Sequence, residues 1–174
     1  MEFFSEAVIA LQRFFDMGGP VLYAIFFVLL LMWGFILERL WYLRSVFPGE
    51  VRSVIEVWDR RKDTTSWYAG RIREAMISDV NQNLHRNMLL IKTLIALCPL
   101  LGLLGTVTGM ISVFDVMAIA GTSNARAMAG GVSRATVPTM SGMVAALSGM
   151  YFTVRLQQRA DVETEKLADA LQHH

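Results

Sequence analysis

Pro99-Leu-Leu-Gly-Leu-Leu-Gly-Thr-Val-Thr-Gly109 is the stretch on which the reading of this chain turns. It sits within an uncharged run of twenty-two residues between Lys92 and Asp115. A second uncharged run, twenty residues long, lies between Arg134 and Arg155. A bilayer core takes about 20 apolar residues of helix, so each run is the length of one crossing. Both are rich in Gly, Ala, Ser, Thr and Met rather than uniformly leucine. Lipid tails do not drive helices together, and membrane helices pack through small residues that let backbones approach. These two helices are built to touch other helices.

The composition agrees. Of 174 residues, 54% are hydrophobic and 18% charged, and the apolar residues come in blocks rather than a periodic scatter, the pattern of an integral membrane protein. A net charge of +1 hides an asymmetry: ten of the sixteen Lys and Arg residues fall between Arg39 and Lys92, while the first 38 residues hold only Arg13. No basic block is interleaved with aromatics, so nucleic acid is not an expected partner. The single cysteine, Cys98, lies in an apolar run beside Pro99 and reads as a small packing residue.

Outward from the central stretch, the chain reads as an all-α integral membrane protein with three crossings. Residues 1–19 predict an amphipathic helix lying on the membrane surface, with Phe4, Val8, Leu11 and Phe15 on one face and Gly18-Gly19-Pro20 ending it. They lack the basic start and small-residue cleavage site of a signal peptide. Residues 20–41 are the first crossing, closed by Glu38, Arg39, Trp41 and Tyr42. Residues 42–92 form a helical insert, placed in the cytoplasm by its basic residues, which puts the N-terminus outside. Within it, Val51, Val54, Ile55 and Trp58 follow helical spacing after Pro48-Gly49. Asp63-Thr64-Thr65-Ser66 breaks that helix and caps the next. Ile72, Met76, Val80 and Leu84 continue a stripe toward Met88 and Ile91. With no Gly or Pro between Arg71 and Cys98, one long helix is expected to run into the second crossing, 93–117. Residues 118–133 form an outside turn and 134–156 the third crossing. Leu156, Ala160, Leu167 and Leu171 carry a helical stripe into a cytoplasmic tail, 157–174.

Candidate functional residues lie on the two small-residue crossings. Thr106 and Gly109 share one face of the second, and Gly102 and Gly105 belong to the same glycine series. On the third, Ser133, Thr136, Met140 and Met143 form one stripe with Thr139 beside it, and Pro138, Gly142, Ala145 and Gly149 form a small-residue stripe. Hydroxyls in membrane helices often bond their own backbone, and glycines permit close packing. Two helices that both carry hydroxyl and glycine stripes also allow a polar lane. No acid, His or Lys occurs in either run. A charge at a helix centre costs roughly 2.5–3.5 kcal/mol on insertion scales, and proton carriers bear that cost for function. This chain therefore supplies no mid-membrane proton carrier. Glu38 and Asp115 stand at opposite boundaries. The glycine run lacks the Gly-Lys-Ser/Thr ending of a phosphate loop. No metal spacing or nucleophile–base pair appears, so neither catalysis nor a cofactor is expected.

Pro99-Leu-Leu-Gly-Leu-Leu-Gly-Thr-Val-Thr-Gly-Met110, followed by Gly131-Val-Ser-Arg-Ala-Thr-Val-Pro-Thr-Met-Ser-Gly-Met-Val-Ala-Ala146, resembles the ExbB/TolQ/MotA proton-channel family, and the short ExbB proteins of TonB systems most of all. The likeness extends over essentially the whole chain. It implies a ring-like homo-oligomer, a pentamer, in the bacterial inner membrane, whose second and third crossings line a pore. A single-pass ExbD-like partner would sit inside and supply the titrating Asp, and a TonB-like protein would carry the motion outward. The pore threonines implied are Thr106 and Thr139. A TolQ-like role in envelope maintenance and a non-conducting scaffold are the alternatives. Many ExbB and TolQ proteins carry Glu at the outer end of the third crossing, where this chain has Arg134. An Arg stays charged, so it anchors the helix at the interface or, with Asp115 nearby, sets the potential at a pore mouth. Pro138, which lacks an N–H for the Arg134 carbonyl, is a second departure.

Overall fold

The computed structural model describes residues 2–64, 66–120 and 125–171. Among them every regular element is helical. The order is α1 (Glu2–Trp41), a π-helical turn (Tyr42–Val46), α2 (Phe47–Asp59), α3 (Trp67–His85), α4 (Met88–Ala120) and α5 (Ala125–Ala170). Three helical runs, Gly18–Asp59, Trp67–Ile119 and Met128–Ala170, each contain a window long and apolar enough to cross a membrane. The three expected crossings fall inside them.

Local sequence explains where the helices bend and stop. Gly19 has φ 64° and ψ −165°, a non-helical kink inside α1. Only glycine adopts that backbone at little cost, and Pro20 disfavours helix at the residue before it. Pro48 occupies the first turn of α2, where its missing N–H has no helical partner to lose. Ser66 caps α3: its hydroxyl accepts from the Ala69 N–H at 3.2 Å, and its own N–H donates to Asp63 Oδ1 at 3.1 Å.

Two expectations require correction. The helix expected to run unbroken from Arg71 into the second crossing stops at His85, because Arg86 is extended (ψ 138°) and Asn87 is left-handed (φ 64°). Asn is one of the few residues besides glycine that visits this region, through its short polar side chain. The turn expected over 118–133 is mostly helix: α4 reaches Ala120 and α5 starts at Ala125, in a segment where alanine favours helix. Residues 121–124 lie outside the described residues, as do the side chains of Phe4, Val8 and Leu11.

The chain divides into two compact units, residues 1–33 with 93–150 and residues 34–92 with 151–174. In the first, α4 and α5 pack antiparallel along a seam of small residues. Contacts pair Cys98 with Gly142, Gly102 with Thr139 and Pro138, Gly105 with Pro138, Gly109 with Ala135, and Val113 with Gly131. A Cβ built on Gly102 would stand 2.9 Å from Thr139 Cα, and one on Gly109 would stand 2.7 Å from Ala135 Cα. Those are backbone atoms that cannot move aside. The segment of α1 in this unit closes on the pair through Met32, which meets Gly149, and Val21, which meets Gly105.

The second unit has a different interior. Phe47, Trp58, Val80, Leu84, Leu167 and Leu171 are buried together with Ala69 and Ala160. Met76, Ile77, Val51, Val54 and Ile55 pack around them. The stripes expected on α2, α3 and the end of α5 all point inward here. Arg73 fastens the C-terminal turn of α5 by donating from Nη2 to the Ala168 carbonyl at 2.6 Å and from Nε to that of Leu171.

Candidate pore-facing surface

The hydroxyls of the crossings mostly turn back to their own helices. Thr106 Oγ1 donates to the Leu103 carbonyl at 2.6 Å. Thr108 lies within 3.1 Å of the Leu104 and Gly105 carbonyls, and Thr136 donates to the Ser133 carbonyl at 3.1 Å. Ser141 and Ser148 do the same with Val137 and Ala145. With no water available, a helix-bound carbonyl is the nearest acceptor. Thr139 differs. Its Oγ1 donates across the seam to the Gly102 carbonyl at 2.9 Å, joining α5 to α4 at the point where glycine lets the backbones meet.

The hydroxyls of Thr106, Thr108, Thr136, Thr139, Ser141 and Ser148 therefore have their protons committed while their oxygen lone pairs remain available as acceptors. Thr106 and Thr139 are half-buried and flank one seam: Thr106 follows Gly105, which meets Pro138, and Thr139 bonds to Gly102. Ser133, Thr136, Met140 and Met143 form a continuous exposed stripe on α5. Arg134, at the same end, and Asp115 on α4 are exposed and have no ion-pair partner among the described residues. Gly102, Gly105, Pro138, Gly142 and Gly149 are buried and Gly109 half-buried, so the close-packing residues face inward within one chain.

One polar residue was not legible as more than an anchor. Arg39 is only 3% exposed. Its Nη1 donates to the Asn83 carbonyl at 3.0 Å, tying α1 to α3, and its guanidinium lies 5.2 Å from the Tyr42 ring centroid. Nε stands 3.4 Å from Glu38 Oε2, a charge contact without hydrogen-bond geometry. The signal was its spacing: Met32, Ile36 and Arg39 follow i, i+4, i+7, and the first two are buried. Beside it the Tyr42 hydroxyl donates to Glu50. Burial, then that bond and the Glu50 charge, push the phenol up to about 12.

Helices alone among the described residues, three of them long and apolar enough to span and two locked by glycine contact with hydroxyls but no charge at mid-span, make this a multi-pass membrane protein. The chain belongs to the MotA/TolQ/ExbB proton channel family, whose pattern it matches over residues 44–169. It is 42% identical over 65 residues to a putative biopolymer transport protein ExbB-like 3 of Synechocystis sp., covering 36% of this chain and 31% of that one. With Synechocystis ExbB-like 1 the identity is 46% over 61 residues, 33% of this chain and 24% of the relative. With the biopolymer transport protein ExbB of Helicobacter pylori it is 30% over 90 residues, 52% of this chain and 62% of the relative. The matches thus span from about a quarter to under two thirds of these relatives' lengths.

Proposed function

We propose that the chain is the ring-forming stator subunit of a bacterial inner-membrane motor, with its N-terminus in the periplasm and its C-terminus in the cytoplasm. With a single-pass ExbD-like partner it converts proton flow into motion that a TonB-like protein delivers to outer-membrane uptake receptors. The observation that carries this reading is the pairing of exposed hydroxyls with charge-free crossings. The walls can solvate a titrating group but cannot themselves titrate, so the acid must come from another chain.

The hydroxyl geometry supplies a mechanism. Thr106 donates its hydroxyl hydrogen bond to the Leu103 carbonyl and presents lone pairs, which suits a protonated, hydrogen-donating carboxylic acid. An ionised carboxylate accepts only, so Thr106 must turn away from Leu103 to meet it. The partner's acid then meets two different walls in its two charge states. A neutral acid passes the apolar Met140–Met143 surface cheaply, while a charged one is held at the hydroxyls. Proton entry down a potential supplies about 2.3 kcal/mol per charge per 100 mV, which biases the partner's steps.

Proton uptake into vesicles holding the complex is the direct test. Uptake should vanish when the partner's membrane Asp becomes Asn and should fall in the pair Thr106→Val with Thr139→Val. Normal uptake in that pair would leave the threonines as packing residues. Complexes that assemble but pass no protons would instead favour a scaffold. Neighbouring reading frames of the TolR/TolA kind would favour an envelope-maintenance motor.

A further inference from the structure

The second unit contains a feature that proton transfer does not use. A groove of about 1050 Å³ runs between α5 and the α1–α2 segment. Its floor is apolar, with Phe47 and Leu156 buried and Leu43 and Val51 half-buried. Its walls carry five cations, Arg44, Arg52, Arg155, Arg159 and Lys166, against one carboxylate, Glu163. That carboxylate is already engaged, since Lys166 Nζ lies 2.7 Å from its Oε1. Arg155 stacks on Tyr151, 5.6 Å from the ring centroid. Arg44, Arg52 and Arg159 have no ion-pair or hydrogen-bond partner among the described residues. All four arginines are exposed.

Position identifies the counter-charge. Leu40 and Tyr151 both line the groove; Leu40 stands at the close of the first crossing and Tyr151 in the last turns of the third, where apolar helix gives way to Arg44 and Arg155. Arg155, Arg159 and Lys166 lie on one face of α5, and Arg44 and Arg52 lie across from them. We propose that this groove is a binding site for an anionic glycerophospholipid of the adjoining leaflet, its phosphate held among Arg52, Arg155 and Arg159 and its acyl chains beginning at Leu40 and Tyr151. Basic pockets beside membrane helices recognise such headgroups through charge, and arginine matches phosphate oxygens two at a time. A zwitterionic lipid brings an ammonium that the five cations repel. A soluble phosphate compound has no use for the apolar end. The inference rests on membrane insertion alone and holds whether or not the chain conducts protons.

The full chain, in whatever oligomer it forms, can be assembled in nanodiscs of phosphatidylcholine with one fifth phosphatidylglycerol, and the lipids it retains counted by native mass spectrometry. Phosphatidylglycerol should be retained well above its share. Each cation removed should weaken that retention about fivefold, so Arg52→Gln with Arg155→Gln and Arg159→Gln should lower it to the phosphatidylcholine level. The same three changes to Lys should keep most of it. Salt should erode the preference of the unaltered protein, which tests the inference even if the triple variant does not fold. Equal retention of both lipids by the unaltered protein would overturn the proposal. So would unchanged preference in the triple Gln variant, or a changed oligomer mass with the lipid preference intact, which would make the groove a contact between copies.

Discussion

The two units of this chain solve opposite packing problems. In the first, the smallest residues face inward: Gly102, Gly105, Gly142 and Gly149 are buried while Leu100, Leu103, Leu104, Val144 and Leu147 are exposed. In the second, Phe47, Trp58, Leu84, Leu167 and Leu171 are buried, and Arg, Lys, Asp and Glu cover α2, α3 and the end of α5. The difference is a change of solvent. Water drives large apolar side chains together, whereas lipid does not, so in lipid the close approach of backbones carries the contact. One helix, α5, follows both rules along its length.

The contrast is most easily broken at Gly142. Any Cβ there runs into the Cys98 carbonyl, a backbone atom. Gly142→Leu should therefore exceed the roughly 1–3 kcal/mol of an ordinary overpacked core and abolish folded protein on detergent gel filtration. Gly34→Ala, whose Cβ meets nothing within 4 Å, should be tolerated. A stable Gly142→Leu chain would mean that α4 and α5 do not meet along this seam.

Leu167→Ala probes the opposite rule. Leu167 is 1% exposed in the aqueous-type core, so its truncation should cost about 2–5 kcal/mol and speed amide exchange across residues 67–84. A loss below 1 kcal/mol would show that this interior is loosely packed. Arg39→Met should cost less, about 1.5–3 kcal/mol, the usual worth of a hydrogen bond to a charged group. It should also free the end of α3, which proteolysis near Asn83 would report.

The smallest effect concerns pH. Burial and the bond to Glu50 push the Tyr42 phenol up to about 12 in the folded chain, above the ordinary phenol value of about 10. Between those values the unfolded chain gives up the proton first, so this contribution is complete below pH 10 and fades as pH rises toward 12. Tyr42→Phe should flatten the alkaline limb of the unfolding curve. An unchanged limb would mean that Tyr42 is neither buried nor bonded to Glu50 in solution.

Much of this organisation was legible because charge and period are strong signals. The uncharged runs bounded by Lys92, Asp115, Arg134 and Arg155 located two crossings. The stripe Ile72–Met76–Val80–Leu84 and the Ser66 cap located α3. The break at Asn87 was not legible. A single asparagine in a helical pattern reads as helix until its neighbours force it left-handed, and no local residue announces that. Beside Trp41 and Tyr42 at the close of a crossing, Arg39 reads as an interfacial anchor, although its place in the Met32–Ile36 stripe points inward. The glycines of α4 and α5 announced close contact but not its address. Within this chain they find each other, so the ring proposed above would need a separate surface.

Cys98 turns that seam into a reporter. It is the single cysteine in the sequence, its side chain is 0% exposed, its thiol donates to the Leu94 carbonyl at 3.3 Å, and its own carbonyl is the atom Gly142 rests on. A membrane-permeant thiol reagent can reach it only while α4 and α5 stand apart. The alkylation rate of the unaltered protein is therefore a clock for opening of the helix pair, read without introducing any label. If the pair parts during each working stroke, that clock should run faster under an imposed proton gradient than at rest.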